Sequence, residues 1–201
     1  MADNAAFVVK EKKSLFSKAP QVDTEGNPIE KEKNRLFKSD AVEKKIKDRR
    51  KGEKIYTLGH LIHNDGYLAY LEANGVYSVE ISDIDEICAK ATKDEPVTVY
   101  IRAHGITVEA EKILRECKEK NQYFDYVDMT CPYVKKIHKI AKENTNDDTL
   151  FAVLGSATHP EVVGIISYAE GEKIVFESAD ELDEFLKNDH LSKMHKKTLI
   201  L

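Results

Sequence analysis

The sequence predicts an α/β fold of two small domains with mainly parallel sheets, and three observations predict it. From Lys54 onward, short β-branched runs alternate with amphipathic helical segments, the pattern of strand–helix–strand units. Ile55 to Leu58 reads as a buried strand and Val97-Thr98-Val99-Tyr100-Ile101 as a strong one, as expected of parallel sheets covered by helices. Helix punctuation falls where the alternation needs it, with Gly75 as a C-terminal stop, Pro132 and Pro160 at first helical positions, and Ser178-Ala179-Asp180-Glu181 as a capping box.

Taken in order, Ile55 to Leu58 reads as a buried strand and Asp65 to Asn74 as a helix. Val76 to Ile81 is the next strand and Asp83 to Lys90 a short helix. After the strand at 97–101, Ala110, Ile113, Leu114 and Cys117 fall at i, i+3, i+4 and i+7, one apolar stripe of a helix. Tyr123 to Val127 is a strand, Tyr133 to Asn144 a helix, Leu150 to Leu154 a strand, Pro160 to Tyr168 a helix and Ile174 to Phe176 a strand. The capping box opens the last helix. The pattern divides near Lys120, into a first α/β domain at 54–120 and a second at 121–196. Lys197-Thr198-Leu199-Ile200-Leu201 reads as the start of a buried strand of a further, truncated domain at 197–201.

Residues 1–53 read differently. Phe7-Val8-Val9 could form a short strand, Lys18 to Asn34 is loop-like with Pro20, Gly26 and Pro28, and Leu36 to Arg50 is a polar helix. Residues 1–54 hold fifteen Lys and Arg against ten Asp and Glu, so the rest of a chain of net charge −5 carries −10. The Lys44–Lys51 run is interrupted by Asp48 and has no interleaved aromatics. It is expected to be a solvated face rather than a nucleic-acid surface, with residues 10–50 loosely packed.

The 201 residues are 41% hydrophobic and 33% charged, a globular composition. No run is long and apolar enough for a membrane span, and the N-terminus lacks the layout of a secretory signal. Three scattered cysteines suggest no disulfide framework and fit a reducing, cytoplasmic setting.

Four reactive residues recur at one topological place, between the end of a strand and the start of a helix: His63, His104, Cys131 and His159. In open parallel sheets, ligands bind beyond the carboxyl ends of the strands, where the following helices aim free N–H groups. Imidazoles there suit a phosphate or diphosphate. A lone histidine in a loop is more often a capping or surface residue; the recurrence of position favours function. Cys131 precedes Pro132 and so sits at a helix N-terminus, which favours thiolate. Cys88 and Cys117 read as small apolar core groups. Glu161 lies in the first turn after His159, where the helix dipole alone would favour a carboxylate.

Four segments carry a resemblance in this order: Tyr56-Thr57-Leu58-Gly59 with Ile62-His63-Asn64; Arg102-Ala103-His104-Gly105; Asp128-Met129-Thr130-Cys131-Pro132; and His159-Pro160-Glu161-Val162 with Gly164. Together they resemble the motifs of the 4-hydroxy-3-methylbut-2-enyl diphosphate reductases, the IspH or LytB family, from about Lys54 to Leu201. The resemblance implies three α/β domains around a [4Fe–4S] cluster held by three cysteines. It implies a cytoplasmic iron–sulfur oxidoreductase of the non-mevalonate isoprenoid pathway, which forms isopentenyl and dimethylallyl diphosphates. The partners it implies are the allylic diphosphate substrate and reduced ferredoxin or flavodoxin as electron donor. By the same resemblance Cys131 is a metal ligand, His63, His104 and His159 are substrate-binding residues, and Glu161 is the catalytic proton donor to the departing hydroxyl.

Two departures qualify that expectation. Asn4-Ala5-Ala6-Phe7-Val8-Val9-Lys10-Glu11-Lys12-Lys13 stands where the family opens with a segment like Asn-Ala-Gly-Phe-Cys-Phe-Gly-Val-Lys-Arg, and Val8 occupies the place of the first cluster cysteine. The third ligand would lie beyond Leu201. One ligand of three is therefore expected here, and the isolated chain is expected to be inactive. The alternatives are a non-catalytic diphosphate-binding relative, one part of a split reductase, or an unrelated α/β enzyme using Cys131 as nucleophile.

Overall fold

The computed structural model describes residues 42–61, 65–187 and 197–200. The earliest segment, with Val8 and the Phe7–Val9 run, lies outside the described residues, as does His63.

Strand β3 (Val97–Ile101) is buried at all five positions and forms the centre of the first sheet. Its neighbours are β1 (Lys54–Leu58) and β4 (Phe124–Asp128), and β2 (Val76–Val79) pairs with the far side of β1, giving the all-parallel order β2-β1-β3-β4. A central parallel strand must be apolar on both faces because helices cover both. On one face Val97, Val99, Ile101, Leu58 and Phe124 pack with α3 (Ile84–Lys90) and α4 (Val108–Lys120) through Ile84, Cys88, Leu114 and Cys117. On the other, Ile55, Val76 and Tyr100 pack with helix α1 (residues 42–47) through Val42 and with α2 (Asp65–Ala73) through Leu71.

Helix α5 (Pro132–Asn144) leads into the second sheet. Strand β5 (Thr149–Leu154) is its centre, with β6 (Glu172–Phe176) on one edge and β7 (Lys197–Ile200) on the other, again all parallel. Ala141 of α5 and Val162 and Ile165 of α6 (Pro160–Ser167) pack with Phe151 and Val153 of β5. Helix α7 (Ala179–Lys187) follows β6, with Glu181 N donating to Ser178 Oγ at 3.2 Å as half of the expected capping box. The carboxyl of Glu181 accepts from Glu177 N instead of Ser178 N.

The structure departs from the sequence reading in three places. A division at residue 120 gives β4 to the second unit, whereas β4 pairs with β3 from Val97↔Phe124 to Ile101↔Asp128 and the first sheet ends there. The cause is Phe124, which is buried in the α3/α4 core and anchors the strand to the first unit. The terminal strand joins the second sheet: β7 pairs with β5 from Thr149↔Lys197 to Ala152↔Ile200, filling the second edge of the buried strand. The basic segment is also better packed than expected. Val42 is fully buried, Ile46 packs beside it, and Lys45 reaches the buried Glu53 at 2.8 Å, so one side of α1 belongs to the core while Lys44 and Lys47 stay exposed.

Candidate functional site

Both sheets reverse their strand order beside a central strand. In the first, the chain runs from β1 out to β2 and returns to β3 on the other side of β1. In the second it runs from β5 out to β6 and returns to β7. Crevices at such reversals, beyond the carboxyl ends of the strands, are where open α/β sheets bind ligands. The loops that follow β3, β4 and β5 end in the N-termini of α4, α5 and α6, whose first N–H groups have no helical partner.

His104 lies in the loop between β3 and α4, and Thr107 caps α4 by accepting from Ala110 N at 3.2 Å. His159 is the N-cap of α6. Its Nδ1 accepts from the backbone N–H of Glu161 at 3.2 Å, which leaves Nε2 as the donor of the neutral ring. The two imidazoles come from different sheets and meet edge to face, with centroids 5.8 Å apart and planes at 89°. Glu161 is half-buried in the first turn of α6.

Cys131 caps α5 ahead of Pro132 at the first helical position. Its N–H donates to Ala103 O at 2.9 Å, which ties the cysteine loop to the residue before His104. Thr130 N donates to the Asp128 carboxyl at 2.8 Å, and Lys135 pairs with that carboxyl at 2.5 Å. Burial raises the pKa of Asp128, but Lys135 and Thr130 outweigh it and hold the group below its ordinary value. His104, Cys131, His159 and Glu161 are thus drawn to the carboxyl ends of the strands at the junction of the two units. His63 lies outside the described residues.

Three residues to which the sequence reading gave no role shape this junction. Arg102 precedes Ala103, and its Nε is buried without a partner. His138, on the buried stripe Val134–His138–Ala141 of α5, packs under the His104 loop: a methyl group at Gly105 would lie 2.7 Å from its Cε1 and one at Gly164 3.4 Å from its Nε2. Its Nε2 is buried and unpartnered, and burial lowers its pKa against the opposing pull of Asp128 and Glu111. Tyr168 stacks on His138 and donates its hydroxyl to Glu111 of α4 at 2.9 Å. Together with the 3.1 Å bond from Val108 N to Ser167 Oγ, this stitches α4 to α6. The i, i+4, i+7 spacing of 134, 138 and 141 is the signal that could have marked His138 as buried.

The donor set does not fit a four-iron cluster held by three thiolates. The sequence has three cysteines, and only Cys131 lies at the crevice. Cys88 and Cys117 are buried between α3 and α4, where Cys88 Sγ donates to Cys117 O at 3.5 Å. Burial, chiefly, pushes the Cys117 thiol up to about 12. No group of three His, Cys, Asp or Glu placed to hold a metal ion exists among the described residues.

The fold and its junction define an α/β protein with two parallel sheets and a ligand crevice at their strand ends. The LytB protein family model matches residues 39–200, and the chain belongs to that family. Membership excludes the reading of an unrelated α/β enzyme. The chain is 33% identical over 141 residues to the 4-hydroxy-3-methylbut-2-enyl diphosphate reductase of Aquifex aeolicus, covering 69% of this chain and 44% of that protein. It is 36% identical over 129 residues to that of Clostridioides difficile, covering 64% and 42%. For the Clostridium tetani protein of the same name the figures are 32% over 143 residues, 71% and 21%. The chain thus spans less than half the length of these relatives. A structure of the Plasmodium falciparum reductase superposes with a TM-score of 0.55 at 22% identity, over 83% of this chain and 55% of that one, which shows the fold. No helix among the described residues is long and apolar enough to cross a membrane.

Proposed function

We propose that this chain binds the diphosphate of an allylic diphosphate in the crevice at the α4, α5 and α6 N-termini. The observation that carries the reading is the contact of His104 with His159, two imidazoles from separate sheets meeting where helix N–H groups converge. Each charge-assisted hydrogen bond to a phosphate oxygen contributes about 1.5–3 kcal/mol before ordering costs. His63 is proposed as the third imidazole. Glu161 is proposed as the proton donor to the substrate's hydroxyl, and Cys131 as one sulfur ligand.

In the family's reductases a [4Fe–4S] cluster, fed by ferredoxin or flavodoxin, supplies the electrons. With one crevice thiol, this chain binds the substrate but does not reduce it unaided. The reading is of a diphosphate-binding part of a reductase that needs thiolates from elsewhere, or of a non-catalytic relative.

Calorimetric titration with inorganic diphosphate at pH 6 and pH 8 tests the binding half, with tighter binding expected at pH 6, where histidines gain charge. An anaerobic dithionite-driven assay tests the catalytic half. Turnover above a protein-free blank contradicts the claim that the chain alone is inactive.

A further inference from the structure

We infer that Arg102 is a further anion-binding residue of this crevice, presenting a permanently charged guanidinium to the diphosphate at the strand-order reversal of the first sheet. The inference rests on the crevice reading above and extends it to a residue outside the histidine set.

Register places the side chain. Leu58 and Ile101 are the last paired residues of β1 and β3, so Gly59 and Arg102 are the next residues along, side by side at the carboxyl edge. These two strands flank the reversal, the position where an open α/β sheet admits a ligand. The guanidinium lies across Gly59, whose missing side chain leaves the room: a Cβ there would sit 2.5 Å from Nη1 and 3.2 Å from Cζ. Gly59 has φ +68°, and its N–H donates to Val79 O at 2.9 Å, so the floor under the guanidinium is fixed.

The charge has no evident structural employment. Among the described residues Arg102 makes no ion pair, although Lys45, Arg50, Lys54, Lys118 and Lys135 all do. Its Nε is buried with no acceptor. An unmade hydrogen bond from a buried charged group is costly, and a packing role alone would be met by an uncharged side chain. A guanidinium offers parallel N–H donors that match the oxygens of a phosphate. The acidic balance of the chain repels anions at long range, so an anionic ligand depends on local cations. Arg102 is also two residues from His104, on the loop that Cys131 N–H ties down through Ala103 O.

The test is titration of the full chain with inorganic diphosphate at pH 8, where histidine charge is mostly lost and arginine charge is not. Arg102→Met is expected to weaken binding about tenfold or more. Arg115→Met removes the same charge from an exposed position of α4 and is expected to stay within about twofold of the parent. Arg102→Lys, a point charge without the fork, is expected to fall between, and it carries the test if Arg102→Met does not fold. Parent-like affinity in the folded Arg102 variants overturns the inference and leaves the crevice reading standing. Parent binding at pH 6 with none at pH 8 also overturns it, because Arg102 would still be charged. No parent binding at either pH overturns both.

Discussion

The imidazole of His138 lies flat on the phenol ring of Tyr168, with centroids 4.3 Å apart and planes within 16°. The pair sits at the junction of the two units, and the Tyr168 hydroxyl continues the link to Glu111. Burial lowers the His138 pKa while Asp128 and Glu111 oppose the shift. A histidine held neutral in the fold is protonated more readily in the unfolded chain, so the unfolded state binds more protons as pH falls below about 6.5. Stability is therefore present above that pH and declines below it. His138→Phe keeps the stack and removes the titrating group. Unfolding free energies measured by chemical denaturation from pH 7.5 to 5 are expected to fall less steeply in this variant, by at most about 1.4 kcal/mol per pH unit. An unchanged slope would show that His138 titrates alike in both states.

The Glu53 carboxylate supports a second prediction. It is 3% exposed and receives Lys45, Arg50 and the Thr98 hydroxyl at 2.8, 3.3 and 2.8 Å. Burial alone would raise its pKa; these partners and the Arg50 N–H outweigh that and bring it to about 2. Its contribution is present above the ordinary carboxylate pKa near 4.5 and is lost as pH falls toward 2. Glu53→Gln is expected to destabilise the fold by about 3–5 kcal/mol at pH 7, as breaking a buried ion pair does. Chemical denaturation at pH 7 and pH 3 checks it, with the parent–variant gap narrowing at pH 3.

Thiol chemistry separates the cysteines. Cys131 is half-buried at the crevice, whereas Cys88 and Cys117 are buried between α3 and α4. One thiol per folded chain is expected to react rapidly with an aromatic disulfide reagent, and three in denaturant. Cys131→Ser should abolish the rapid phase; two or more rapid thiols in the folded parent would contradict the core placement of Cys88 and Cys117.

Gly105 packs closely against His138. It has φ +76°, and a Cβ there would come within 2.7 Å of the imidazole and 3.1 Å of Thr130 Cγ2. Gly105→Ala is expected to cost about 1–2 kcal/mol from the left-handed backbone alone, with a further loss from displaced packing. Equilibrium unfolding measures it; a neutral substitution would mean that the loop relaxes without disturbing His138.

Much of this architecture was legible because strand and helix periods are local properties. Val97–Ile101 and the Ala110–Cys117 stripe announce themselves in any window that contains them. The allegiance of β4 was not legible, since its five residues read equally well as the last strand of one sheet or the first of the next, and only the pairing of Phe124 with Val97 decides it. The same holds for β7, whose partner β5 lies far back in the chain. At the crevice, His104, Cys131 and His159 could be read from their position after strands. No role at the site could be read for Arg102 or His138. The significance of Arg102 depends on the register that sets it beside Gly59, and that of His138 on the two glycines that make room for it.

The central claim, a diphosphate crevice shared by both units, is tested most directly by titrating inorganic diphosphate into the parent chain and into the His104→Gln, His159→Gln double variant at pH 6. The two imidazoles converge from different sheets, so removing both should weaken binding by well over tenfold while the melting temperature changes little. Parent-like affinity in the folded double variant would contradict the claim and place any diphosphate site elsewhere.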